Sequence, residues 1–160
     1  MKIYLGSDHR GAQLAQELLE WHDSDIAFEL IGAKDVTPQD DYVDIAQKVA
    51  KEVMNETVSA DEEALGVLIC GSGVGVDIAA NKIAGIRSCL GFSVEQVKSA
   101  RTDDGVNVLS LGADFIAPEK AKSLIKAFAH TRFATEERFV RRIEKLRKLE
   151  SGSKNQKARE

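Results

Sequence analysis

Residues 65–80 read LGVLICGSGVGVDIAA, and the reading of this stretch decides the fold class. Leu65–Cys70 is a short, continuous apolar run, which suits a strand covered on both faces of a parallel sheet. Glycines at 71, 73 and 75 interrupt it, and a helical pattern opens behind them. Strand, glycine turn and helix in succession form the unit from which parallel α/β sheets are assembled. Working outward, four more runs carry strand character: Lys2–Leu5, Ile26–Ile31, Ile86–Leu90 and Val106–Leu111. Helical patterns lie between them. Tyr42, Ile45, Ala46, Val49, Ala50 and Val53 follow the i, i+3, i+4, i+7 rule. Pro118 stands near a helix start, with Ala121, Leu124, Ile125 and Phe128 on one face. A last helix is predicted from about Thr135, where Glu136 and Glu137 favour its positive end. It carries Phe139, Ile143 and Leu146 on one side and basic residues on the other. The expected architecture is a three-layer α/β/α sandwich, Rossmann-like, with a five-stranded parallel sheet.

At about 150 residues per domain, the 160-residue chain is one domain. We expect it to span residues 1–150, including the C-terminal helix. Residues 151–160 (SGSKNQKARE) hold no apolar side chain beyond one alanine and are predicted to be a disordered tail. Twenty-two Lys and Arg against 26 Asp and Glu leave a net charge of −4, which argues against a nucleic-acid partner. No apolar run approaches the roughly 18 residues of a membrane span. The opening residues, MKIYLGSDHR, do not form a secretory signal. Cys70 and Cys89 lack CxxC spacing, so neither a zinc site nor a disulfide framework is indicated, and a reducing, cytoplasmic setting is expected. Cys89, inside a strand run, reads as core.

Ligands of such sheets bind beyond the carboxyl ends of the strands, where the strand order reverses. The first run ends in Gly6-Ser7-Asp8-His9-Arg10-Gly11 and the third in Cys70-Gly71-Ser72-Gly73-Val74-Gly75. If these two strands are neighbours, both loops face one cleft. The second loop opens a helix, so its amides could converge on a phosphate or a developing oxyanion. It equally fits a tight turn around a buried cysteine. Its spacing matches neither a Walker A loop nor a dinucleotide fingerprint. Cys70 precedes a positive helix end, and a thiolate is the form of cysteine that acts as base or nucleophile. Asp8 and His9 form a polar pair, for which a capping role of Asp8 with a solvated His9 is the plain alternative. Trp21 and His22, at the end of a helical pattern, read as core and surface. Arg138 and Arg142 are spaced i, i+4 and could grip a phosphate, although a stripe with Arg141 and Lys145 is commonly a solvated face.

Together these loops resemble the type B ribose-5-phosphate isomerase family, which also includes galactose-6-phosphate isomerase subunits. The resemblance covers roughly residues 1–150. It rests on GSDHRG at 6–11, DDYVD at 40–44, ICGSGVGVDIAANKIAGIRS at 69–88, Ala100-Arg101, NVLSLG at 107–112 and the Arg138/Arg142 pair. It implies an aldose–ketose isomerase that works through an enediolate on a sugar phosphate without metal or cofactor. It also implies a homodimer, in some members a tetramer, with sites built from both subunits. By position, Cys70 is then the base between C1 and C2, and Ser72 assists proton transfer at the sugar oxygens. The amides of Gly71, Gly73 and Gly75 hold the enediolate. Asp8 and Tyr42 contact sugar hydroxyls, and His9, Arg138 and Arg142 bind the phosphate.

Four positions, in three places, depart from the family pattern. Where the family usually has His-Asn after the Ala-Arg stretch, the His opening the sugar ring, this chain has Asp103 and Asp104. Asp103 thereby stands in the catalytic place and Asp104 among the substrate contacts. Asp114 replaces a basic residue that often follows the last strand. Arg10 replaces a small apolar residue and is counted with the substrate-binding residues. An aspartate accepts a proton at neutral pH but donates poorly, whereas an imidazole does both. Ribose 5-phosphate is therefore the default substrate, beside a shorter or open-chain ketose phosphate that needs no ring opening. A catalytically lapsed subunit serving an active paralogue is the reading from a different class.

Overall fold

All six residues of Leu65–Cys70 (β3) are buried, as a continuous apolar run requires when helices cover both faces of a sheet. In the computed structural model, which describes residues 1–31, 40–57 and 63–156, four strands flank it. They are β1 (Lys2–Ser7), β2 (Ala27–Leu30), β4 (Ser88–Leu90) and β5 (Val108–Gly112), in the order β2-β1-β3-β5-β4, all parallel. Ser7 pairs with Ile69, and Cys70 pairs with Gly112. The chain runs outward from β1 to β2, then restarts at β3 and travels the other way. The order therefore reverses between β1 and β3, so the condition for a shared cleft is met.

Helices α1 (Ala12–Leu19), α4 (Val94–Asp104) and α5 (Pro118–His130) cover one face, and α2 (Tyr42–Glu56) and α3 (Val74–Ala80) the other. Alternation along β3 sorts its side chains: Leu65, Val67 and Ile69 join Leu14, Leu18, Leu124 and Phe128. Leu68 and Cys70 join Ile45, Val49, Val53 and Val76 on the opposite face. The predicted stripes are the buried faces of α2, from Ile45 to Val53, and of α5, from Ala121 to Phe128, while Tyr42 at the start of α2 is exposed. Asp41 caps α2 by accepting the Val43 N–H at 2.9 Å. Trp21 lies beyond the end of α1, half-buried against Phe28, while His22 is exposed. No described helix is long and apolar enough to cross a membrane.

The last helix, α6 (Glu137–Gln156), buries Phe139 and Ile143, and the Glu150 carboxylate accepts the Gly85 N–H at 3.2 Å. It begins two residues after Thr135. It also continues past Glu150 to Gln156, where composition predicts a disordered tail. An established helix adds one backbone hydrogen bond per residue without needing apolar side chains. Residues 157–160 lie outside the described residues.

At the amino end of the sheet, Glu63 joins two arginines. Its carboxylate accepts from Arg101 Nη1 at 2.8 Å and Arg87 Nη2 at 3.2 Å. Arg101 is 5% exposed and also donates to the Val106 and Thr131 carbonyls. Glu63→Ala leaves a buried guanidinium without its counter-charge and is expected to cost about 3 kcal/mol. Glu119→Ala, at a solvent-exposed pair with Lys122, should cost less than about 1 kcal/mol. Urea denaturation of both variants checks the contrast, and equal midpoints would refute it. A second expectation concerns Cys89. Burial pushes its thiol up to about 11, with the Asp77 carboxylate adding to the shift. In a Cys70→Ala background, iodoacetamide at pH 8 should label Cys89 slowly until the protein is unfolded; fast labelling of the folded variant would contradict this.

Candidate active site

Cys70 ends β3 and is 5% exposed. Its Sγ accepts the Gly73 N–H at 3.1 Å, so the turn folds back onto the thiol. Gly73 makes this possible with φ +78°, a left-handed conformation at the N-cap of α3 that a side chain would strain. A Cβ there would also meet the Gly112 nitrogen at 2.8 Å. The exposed Ser72 accepts the Val74 N–H at 3.3 Å. From β5, Ala113 N–H donates to the Cys70 carbonyl at 2.9 Å and Asp114 N–H to the Gly71 carbonyl at 3.0 Å. The turn is thus held from both ends, as a tight turn around a buried cysteine at the start of α3.

The β1 loop stands beside it. Asp8 is buried, and its Oδ1 accepts the N–H groups of Arg10 and Gly11, each at 3.0 Å. One carboxylate oxygen thus fixes the turn before α1, whose N-cap is Gly11 without a side-chain cap, so Asp8 does not cap the helix itself. His9 is exposed, with Nδ1 2.6 Å from Asp40 Oδ1. The Tyr42 ring lies over Gly75, whose added Cβ would sit 3.0 Å from two ring atoms. Arg10 pairs with Asp114, and its guanidinium covers Gly71. Nine predicted residues therefore meet at the carboxyl edge: Asp8, His9, Arg10, Tyr42, Cys70, Gly71, Ser72, Gly73 and Gly75.

Asp103, Asp104, Arg138 and Arg142 do not join them within one protomer. In a parallel sheet each helix returns the chain to the amino end of the next strand. Asp103 and Asp104 close α4 just before β5 begins, and α6 starts after α5 has made the same return. At this opposite end a cavity of about 640 Å³ is lined by Ser88, Cys89, Asp103, Asp104, Leu146 and Leu149 among others. Arg138 and Arg142 are exposed on the same helix, their guanidiniums 4.4 and 5.7 Å from the Phe139 ring centre. The candidate residues fall into two groups at opposite ends of the sheet.

Two pairings escaped the sequence reading. Asp40 orients His9, and Asp114 holds Arg10; both pairs are far apart in the chain. An acidic residue just before a helix start was the only local signal for Asp40. Asp77, a carboxylate in the first turn of α3, is engaged away from the cysteine: it accepts the Ser88 hydroxyl at 2.6 Å, and Ser88 Oγ is 2.9 Å from Ser110 Oγ. Among the described residues, no three His, Cys, Asp or Glu side chains converge to hold a metal ion.

Known proteins resemble this chain in sequence and fold. Residues 3–146 match the model of the family described as Ribose/Galactose Isomerase. Ribose-5-phosphate isomerase B of Mycobacterium tuberculosis is 33% identical over 152 residues, covering 94% of this chain and 90% of that protein. The structure of ribose-5-phosphate isomerase B from Mycoplasma genitalium with bound ribulose 5-phosphate superposes with a TM-score of 0.81 at 33% identity, covering 94% and 96% of the two chains. A type B enzyme from Trypanosoma cruzi, in mutant form, gives a TM-score of 0.83 at 31% identity over 95% and 97%. With its fold and nearly its whole length matched, the chain is an isomerase belonging to the ribose/galactose isomerase family.

Proposed function

We propose that the protein interconverts an aldose phosphate and its ketose isomer through an enediolate, with Cys70 as the proton-transfer base. Ribose 5-phosphate and ribulose 5-phosphate are the default pair. The observation that carries this reading is the Cys70–Gly73 turn, in a family where a relative's structure holds ribulose 5-phosphate. Isomerisation needs one base on one face of the enediolate and preorganised donors for its oxygen. In the aldose-to-ketose direction Cys70 Sγ takes the C2 proton and returns it to C1. A proton meanwhile moves from the O2 side to O1, assisted by Ser72. The turn amides of Gly71, Gly73 and Gly75 stabilise the oxyanion, and Asp8 and Tyr42 bind sugar hydroxyls. Such chemistry requires a free thiol, in keeping with a reducing, cytoplasmic setting. It calls on no metal or cofactor.

The division of candidate residues between two ends of the sheet supports a site completed by a second copy. In a homodimer, Arg138 and Arg142 of one protomer would join His9 of the other on the phosphate, and Asp103 and Asp104 would meet the sugar. A tetramer would repeat this dimer. Asp103 also favours a second reading. A four-carbon ketose phosphate cannot close a five- or six-membered ring through its free hydroxyls, so it needs no ring-opening histidine.

Cys70→Ala should lower kcat on the order of 10²-fold or more with little change in substrate binding; near-normal turnover would remove Cys70 from the mechanism. Mixing Cys70→Ala with Arg142→Ala protein should regenerate activity, because a hybrid dimer contains one intact site. Subunits that exchange without any return of activity would rule out shared sites. A panel of tetrose, pentose and hexose phosphates, with kcat/KM compared before and after Asp103→His, identifies the substrate. A wild type that prefers ribose 5-phosphate and gains nothing from the histidine would eliminate the short-substrate reading, and no turnover at all would favour the lapsed subunit.

A further inference from the structure

Arg10 is built into the cleft from three directions. Its backbone N–H is held by Asp8 Oδ1 at 3.0 Å, which fixes where the side chain leaves the loop. Its Nη2 pairs with Asp114 Oδ2, 104 positions along the chain, so the β1 and β5 loops are bridged across the β3 loop between them. The flat of the guanidinium lies over Gly71: a Cβ there would be 2.4 Å from Cζ and Nε and 2.8 Å from Nη1. The cation therefore sits one residue from the Cys70 thiol, beside the turn amides.

Stability does not account for this pair. The side chains of Arg10 and Asp114 are 58% and 38% exposed, and ion pairs this accessible to water contribute little to folding. Binding accounts for it better. A guanidinium offers five N–H donors in a rigid plane, and among the described residues only the Nη2 donation to Asp114 takes one up. A held guanidinium with free donors, lying over the first glycine of the turn, matches a phosphate or carboxylate group. Left without Asp114, a long arginine side chain would spread over many rotamers, and an anion would have to order it on binding.

We propose that Asp114 is a positioning residue that holds Arg10 as an anion contact supplied by the same protomer as Cys70. The substrate role of this contact rests on the isomerase reading, whereas its anion-binding role does not. The positive charge then sits on the β1 loop, with the Asp114 carboxylate of the β5 loop as its anchor.

Inorganic phosphate titrated calorimetrically into the purified protein, alongside kcat and KM for ribose 5-phosphate, tests this. Arg10→Ala should weaken phosphate binding about tenfold or more, the scale of a charge-assisted hydrogen bond. Asp114→Asn should weaken it about three- to tenfold and raise KM by more than it lowers kcat, as expected for one disordered side chain. In the Arg10→Ala background, Asp114→Asn should add nothing. The exchanged pair Arg10→Asp/Asp114→Arg keeps an ion pair but should not recover phosphate affinity, because the cation no longer covers Gly71. Tighter phosphate binding in Asp114→Asn would show that Asp114 competes with the anion and would overturn the proposal. Additive losses in the double variant, or recovery in the exchanged pair, would overturn it as well. If the wild type turns over no sugar phosphate while Arg10→Ala still lowers phosphate affinity, the isomerase reading fails and the anion contact stands.

Discussion

Hydrogen bonding of β3 to β1 on one side and β5 on the other is the constraint on which the remainder of this molecule depends. It makes β3 the middle strand, buried on both faces. It also sets the loops after β1, β3 and β5 side by side at one edge. Cys70 pairs with Gly112 in the last register of that ladder, so the thiol emerges where the sheet ends. The β5 loop then clasps the Cys70 turn through two backbone bonds. Those bonds satisfy the Cys70 and Gly71 carbonyls and hold the turn in place before any ligand arrives. An unheld glycine turn would have to be ordered by its ligand, at an entropic cost.

The site combines a rigid centre with mobile-length side chains around it. Gly73, in a left-handed conformation, turns an amide onto the sulfur. This is an arrangement of backbone, which substitution of neighbouring side chains changes little. His9, Arg10 and Tyr42 stand around this centre on exposed positions, and each is directed by a contact with another loop. Asp40 directs His9, Asp114 directs Arg10, and the surface of Gly75 receives Tyr42. A centre set by backbone and a rim set by side chains is suited to one reaction type with adjustable substrate contacts.

At the other end of the sheet, the Glu63–Arg87–Arg101 cluster performs a different task. There the arginines donate mostly to backbone carbonyls, at Gly85, Asp104, Gly105, Val106 and Thr131. These groups tie the starts of β4 and β5 to the ends of α4 and α5. The charges are spent on closing the fold, in contrast to Arg10, which retains donors.

The apolar run of Leu65–Cys70, the glycines behind it and the stripes of α2 and α5 determined the fold class by themselves, because burial on two faces and helical spacing are local properties of sequence. Local chemistry also marked Cys70, Ser72, Asp8 and His9, since a thiol or carboxylate at the end of an apolar run has few reasons to be there. Composition at SGSKNQKARE records only the absence of packing, and the backbone of α6 extends to Gln156 by propagation from the residues before it. Only the tertiary structure decided which loops share an edge, that Asp103, Asp104, Arg138 and Arg142 lie at the opposite end from Cys70, and that Arg10 meets Asp114 and His9 meets Asp40. Those facts follow from strand order, and strand order is set by the summed packing of helices against both faces of the sheet, a property of the whole chain that no short stretch carries.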